Sequence, residues 1–107
     1  EQNQEALIQR FYRLLADGDF DRCIALVSAR NLTKQQLADF EPTLRQILAG
    51  AKGKIDSKGG LQQLEIVERV LSEKDQLTKL RVLLRYGDGN TRRERIHVFQ
   101  KTAEVQL

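Results

Sequence analysis

The apolar residues of this 107-residue chain repeat with one period up to Gly60 and with another after it. Few folds accept a chain written that way. Before Gly60, Ala6, Leu7, Phe11, Leu14 and Leu15 recur at helical spacing, and Phe20, Cys23, Ile24 and Val27 make a second stripe. After Gly60 the repeat is every second residue. Leu64, Ile66 and Val70 alternate with Glu68 interrupting, then Leu80, Val82, Leu84 and Tyr86, then Ile96 and Val98. Helices followed by hairpin-linked strands predict an α+β domain with an antiparallel sheet of three to four strands, not a βαβ unit.

The punctuation agrees. Asp17-Gly18-Asp19 stops the first helix, with Gly18 suited to a left-handed C-terminal position and Asp19 able to cap the next helix. Ser28 to Leu32 reads as a connection. Thr33 with Gln36 is a capping-box pair. Pro42 predicts a short helix before it and a new one opening at it, because proline lacks the N–H that a helix interior needs. Leu44, Ile47, Leu48, Ala51 and Ile55 stripe that last helix, and Lys58-Gly59-Gly60 ends it. Three strands of about ten residues follow, joined at Glu73-Lys74-Asp75 and at Gly87-Asp88-Gly89-Asn90, with a short last strand near Val105 and Leu107.

One domain spanning 1–107 accounts for the length. Such a domain buries roughly two thirds of its unfolded surface, enough for a core without staples. With four Phe, two Tyr, no Trp and no Met, that core is aliphatic. Cys23 is the single cysteine, so no internal disulfide forms. No apolar run approaches the ~18 residues that span a bilayer. The formal charge of +3 is a weak argument for nucleic acid, and none is expected as a partner.

Register decides which side chains share a face. Pairing Gly87 with Asn90 around Asp88-Gly89 would set Leu84 against Arg93. A shift by one sets Leu84 against Glu94, Val82 against Ile96 and Leu80 against Val98. The hydrophobic pattern favours the second, and so predicts an odd-length loop or a bulge at Gly87–Asn90. One face then carries Leu80, Val82, Leu84, Tyr86, Ile96 and Val98. The other carries Lys79, Arg81, Leu83, Arg85, Arg93, Arg95, His97 and Phe99, with Val67 and Leu71 from the preceding strand.

Several short motifs carry a resemblance: Phe11-Tyr12, Gly18-Asp19, the Cys23–Val27 stripe with Ser28, Lys58-Gly59-Gly60 and Tyr86-Gly87-Asp88-Gly89. Together they resemble the nuclear-transport-factor-2-like superfamily, and within it a family of uncharacterised bacterial envelope lipoproteins. The resemblance implies a cone, with the helices laid across the concave face of a curved sheet and a pocket at the wide end. It also implies the cell envelope as location and a membrane link only through a lipidated cysteine upstream of Glu1. The family's final Gly-x-Trp strand is replaced here by Lys101-Thr102-Ala103-Glu104-Val105.

In that frame Tyr86, Glu68 and Tyr12 are the pocket residues, since superfamily enzymes such as ketosteroid isomerase set an acidic base beside a tyrosine. Val67, Leu71, Leu83 and Phe99, with Arg81 and Arg95 at the rim, form a face for a homodimer. The other candidates read as structural. His97 sits among cations and lacks an orienting carboxylate. Cys23 lies in an apolar stripe. Asp17, Asp19 and Asp21 read as capping charge, with no metal-ligand spacing and no cofactor expected. Gly87-Asp88-Gly89 precedes no helix and so is no phosphate loop. The cluster Arg81, Arg85, Arg92, Arg93 and Arg95 suits phosphates but has only Phe99 for stacking.

The expected function is a non-enzymatic envelope domain binding a protein partner or a small apolar ligand. The alternatives are a small isomerase or dehydratase using Glu68 with Tyr86, and an anion or nucleic-acid binder.

Overall fold

A computed structural model describes residues 2–28, 32–100 and 104–106. Helix α1 (Gln2–Asp17) ends where Gly18 turns to φ 80°. There the Asp19 amide donates to the Leu14 carbonyl at 2.9 Å and the Gly18 amide to Leu15 at 3.1 Å, a paired C-terminal closure. Asp19 at once caps α2 (Phe20–Ala25), accepting from the Arg22 amide. Val27 leaves the helical stripe expected of it. The β-branched Val27 and Ser28 form strand β1 (Val27–Ser28), and the segment 29–31 of the expected connection lies outside the described residues.

Helix α3 runs unbroken from Lys34 to Ser57, with Pro42 inside it. The sequence reading expected two helices here. The missing amide and crowded carbonyl cost about 3 kcal/mol in a helix interior. Here Pro42 and the carbonyl-bearing Ala38 are both exposed, so water can serve the unpaired group. Burial of Leu44, Leu48 and Ile55 along one stripe, and a complete Thr33–Gln36 capping box, offset the remainder.

Four further strands follow: β2 (Leu61–Ser72), β3 (Leu77–Tyr86), β4 (Thr91–Phe99) and β5 (Val105–Gln106). They lie in the order β1-β5-β4-β3-β2. The long strands are antiparallel as expected, and β1 adds a parallel pair with β5, Val27 facing Val105. The sheet is therefore mixed and five-stranded. Lys101-Thr102-Ala103 and Leu107 lie outside the described residues.

Between β3 and β4 the parity is the expected one and the register is not. Leu84 faces Arg92, Val82 faces Glu94 and Leu80 faces Ile96, two residues from the expected pairing. The loop is odd in length. Tyr86 and Asn90 close it through Tyr86 N–H to Asn90 O at 2.9 Å, leaving Gly87-Asp88-Gly89 to turn, with Gly89 at φ 90°. Because a shift by two keeps every side chain on its face, the core is unaffected. Leu80, Val82, Leu84, Tyr86 and Val98 pack against Ile8, Phe11 and Leu15 of α1, Cys23 of α2, and Leu44, Leu48 and Ile55 of α3.

Strand β2 carries two irregularities. Leu61 faces Tyr86 but Gln63 faces Arg85, and Ile66 faces Val82 but Glu68 faces Arg81. Gln62 and Val67 are therefore extra residues, each a β-bulge that bends the strand. The bulge at Val67 reverses the alternation beyond it. Arg69 turns to the helix side, where its Nη2 reaches Gln4 Oε1 of α1 at 3.5 Å, while Glu68 and Val70 join the outer face.

Candidate functional site

The concave side of the sheet and the helices across it enclose an open cavity of about 400 Å³. Its walls are apolar: Phe11 and Leu15 from α1, Ile47, Leu48 and Ala51 from α3, and Leu84 from β3. Polar side chains break this lining, Gln46 and Lys54 from α3 and, across from them, Tyr12, Tyr86, Arg92 and Glu94. Each is placed by an element already described. Tyr12 follows Phe11 on α1, its ring edge-on to the Phe11 ring at 5.8 Å. Tyr86 ends β3. Arg92 and Glu94 share the inward parity of Ile96 and Val98 on β4.

Beside Tyr86 the helical layer and the sheet are joined through backbone. The Lys58–Gly60 turn that follows α3 and the β3–β4 loop meet through two hydrogen bonds, Gly87 N–H to Gly60 O and Asp88 N–H to Lys58 O, both 2.9 Å. The approach is so close that a Cβ on Gly87 would stand 2.2 Å from the Gly59 carbonyl oxygen. Lys58 Nζ lies 5.0 Å from the centroid of the Tyr86 ring, a cation–π contact that steadies the ring. The two glycine motifs, Lys58-Gly59-Gly60 and Tyr86-Gly87-Asp88-Gly89, are thus the two halves of one lock.

Electrostatics in the cavity favour neutral phenols. Burial first, then the negative field of Glu94, pushes the Tyr12 hydroxyl far above the ordinary range of a tyrosine. Tyr86 is raised as well, by burial, with Glu94 and Asp88 adding and Arg92 opposing. Both are therefore hydrogen-bonding groups rather than phenolates. Neither hydroxyl bonds to another described residue, so both can serve a ligand. Glu94 accepts from Arg92 Nε at 2.9 Å, which engages part of its carboxylate.

The structure brings Tyr12 and Tyr86 to one cavity and leaves Glu68 out of it. The Val67 bulge carries Glu68 to the outer face, half-exposed, with its Oε2 3.6 Å from Arg81 Nη1. An acid–base pair of Glu68 with Tyr86 is thereby excluded. Glu94 and Arg92, the latter counted by sequence reading in the arginine cluster, are the charged groups that the sheet gives the cavity, with Lys54 added from α3. A signal for them existed: both share the parity of Ile96 and Val98.

On the outer face, Arg81 and Arg95 are direct cross-strand neighbours, and Leu83 and Phe99 are half-buried beside them. Val67 is exposed at its bulge. Leu71 does not belong to this face. The same bulge pairs it with Thr78 on the helix side, where it is 55% exposed beyond the helices. His97 is half-buried opposite Lys79. Cys23 is fully buried, its Sγ donating to the Phe11 carbonyl at 3.6 Å, and burial pushes its thiol up to about 11. Among the described residues no three acidic, His or Cys side chains gather as a metal site, and no helix is long and apolar enough to cross a membrane.

No family model and no curated protein matches this chain. Among solved structures it is similar to a provisionally assigned NTF2-like transpeptidase from Campylobacter jejuni, at 20% identity over 96% of each chain with a TM-score of 0.81. At that identity the likeness speaks for the fold. Helices followed by a curved, open, mixed sheet are consistent with that likeness, and the chain has the nuclear-transport-factor-2-like fold.

Proposed function

We propose that this domain is a non-enzymatic binding module, and that its concave cavity takes a small, mainly apolar molecule bearing one or two hydrogen-bonding groups. The cavity is the observation that carries this reading. Its size falls within the ~300–1,000 Å³ usual for ligand sites, with an apolar lining and a few converging polar groups. Tyr12 and Tyr86 would orient the polar end of the ligand, and Arg92 with Glu94 would reject a ligand that leaves them unpaired.

The Campylobacter relative is described as a transpeptidase, a reaction that calls for an activated Ser or Cys nucleophile. The cavity lining holds neither, and Cys23 is buried with a raised thiol. A second reading, proton transfer by Glu94 with Tyr12 as partner, has the shared cavity in its favour and the Arg92 ion pair against it. In the binding reading the domain works in the bacterial cell envelope. The support for that location is the motif resemblance to envelope lipoproteins.

The test uses 2-naphthol as an apolar probe with one hydroxyl, titrated into labelled protein while amide resonances are followed. Shifts should centre on Tyr12, Leu84 and Tyr86. Gly50→Leu should abolish them, because Gly50 lines the cavity and has open space where a side chain would go. Shifts scattered over the surface, or unaffected by Gly50→Leu, would remove the cavity from the proposal. Recovery of the native full-length protein in the soluble cytosolic fraction would remove the envelope.

A further inference from the structure

The cavity leaves the outer face of the sheet unexplained, and the charges there are uneven. On β2, β3 and β4 this face carries Lys79, Arg81, Arg85, Arg93 and Arg95 against Glu65 and Glu68, a surplus equal to the formal +3 of the whole chain. The carboxylates both stand on β2, so neutralisation stops there. Arg85 reaches Glu65 at 3.8 Å and Arg81 reaches Glu68 at 3.6 Å. The side chains of Lys79, Arg93, Arg95 and His97 make no ion pair or hydrogen bond with another described residue.

Two of the cations are also set against each other, Arg81 facing Arg95 across the β3–β4 ladder, with Lys79 opposite His97 on the next rung. Directly opposed residues have Cβ atoms ~4.5–5.5 Å apart, and like charges so placed destabilise a sheet. Between them lies a hollow of about 340 Å³, lined by Glu68, Val70, Lys79, Arg81, Arg95 and His97.

We propose that this hollow is a binding site for a phosphorylated small molecule, with Arg81 and Arg95 as the clamp and Lys79 beside them. Two neighbouring guanidinium forks match the oxygens of a phosphate. A phosphate ester carries close to two negative charges and three acceptor oxygens, which suits several unneutralised cations better than a single carboxylate does. Glu68 is the competitor already present. Its long, exposed contact to Arg81 is of the kind that contributes ~0–1 kcal/mol, so a dianion displaces it readily. A second copy of the chain is disfavoured on this face, because a two-fold axis would set the same positive surplus against itself. The concavity favours a small ligand over a flat membrane surface.

The site is on the opposite side of the sheet from the cavity and stands independently of the function proposed for it. Inorganic pyrophosphate, titrated at low ionic strength with amide resonances as readout, is the probe. Shifts should centre on Lys79–Arg81 and Arg95–His97. Arg95→Gln and Arg81→Gln should each weaken binding about tenfold or more, the loss of a charge-assisted pair. Glu68→Gln should tighten it several-fold, a gain that misfolding cannot imitate. Arg10→Gln removes the same charge from the exposed side of α1 and should change little. Absence of shifts at about 10 mM pyrophosphate overturns the proposal, since binding weaker than that is no site. So does an Arg10→Gln effect equal to that of Arg95→Gln. Anionic phospholipid vesicles moving the same amides more strongly than pyrophosphate would overturn the small-molecule assignment. A dimer dispersed by Arg95→Glu would overturn the site.

Discussion

Substituting Gly87 by alanine probes the lock between the Lys58–Gly60 turn and the β3–β4 loop. The backbone of Gly87 is not in the left-handed region that only glycine favours, so alanine brings no conformational strain of its own. The whole effect comes from contact. The new Cβ would stand 2.2 Å from the Gly59 carbonyl oxygen and 2.9 Å from its carbon, and both are backbone atoms that cannot swing aside. The α3 terminus and the β3–β4 loop must part. With them go the Gly87–Gly60 and Asp88–Lys58 hydrogen bonds. Each contributes about 1 kcal/mol. The Lys58–Tyr86 contact adds about 0.5–1 kcal/mol, giving about 2–3 kcal/mol in all. A domain of this size has ~5–15 kcal/mol to lose, so it stays folded at room temperature. Its melting temperature should fall by about 10–20 °C, at the usual ~4–8 °C per kcal/mol. Thermal denaturation followed by circular dichroism measures the fall, and hydrogen exchange should show the Gly87 and Asp88 amides losing protection first. Melting within about 4 °C of the parent would refute the reasoning, because no lock of that strength would then exist.

Gly53→Ala should do the opposite. Its Cβ meets nothing within 4 Å, so the helix gains about 1 kcal/mol and melts higher. Thr33→Ala should cost about 1 kcal/mol in urea denaturation, since the capping box loses its side-chain acceptor for the Gln36 amide. The Cys23 thiol is raised from 9.0 to about 11. The unfolded chain therefore ionises first, and the stability due to this group, full below pH 9, should fall as pH rises towards 11, read as a declining urea midpoint absent from Cys23→Ala. Glu68→Gln should leave the melting temperature within about 3 °C, the mark of a half-exposed surface ion pair and not of a buried carboxylate.

Much of the fold was legible because period and parity are local properties. Leu80, Val82, Leu84 and Tyr86 announce an inward face, and an odd loop at Gly87–Asn90 follows from the need to keep that face. The pairing slipped by two because parity cannot distinguish Leu84 against Glu94 from Leu84 against Arg92. The β2 bulges were not legible at all. An extra residue in a strand has no compositional mark, and Val67 looks like any β-branched strand residue. From that one position come both misplacements, Glu68 in the pocket and Leu71 on the outer face. Pro42 misled because its helix-breaking cost was counted in full, whereas the Ala38 carbonyl it leaves unpaired is exposed and water can serve it. Arg92 and Glu94 could have been found. Two charges on the parity of Ile96 and Val98 must either be paired or line a space, and here they do both.

The two bulges bear on more than the shape of the cone. Strand β2 is the longest in the sheet and lies at its edge, so among the described residues one side of its backbone has no partner strand. An edge of that length, rich in Leu61, Leu64, Ile66, Val67, Val70 and Leu71, is a template on which further chains could stack into fibrils. Gln62 and Val67 break the ladder into short straight runs, too short for an incoming strand to zip along. Deleting Val67 would make Ile66 and Glu68 consecutive opposite Val82 and Arg81, so the native pairing would survive while the edge straightened. The variant should fold and then precipitate on standing. The residue that misleads sequence reading is the one that interrupts this edge.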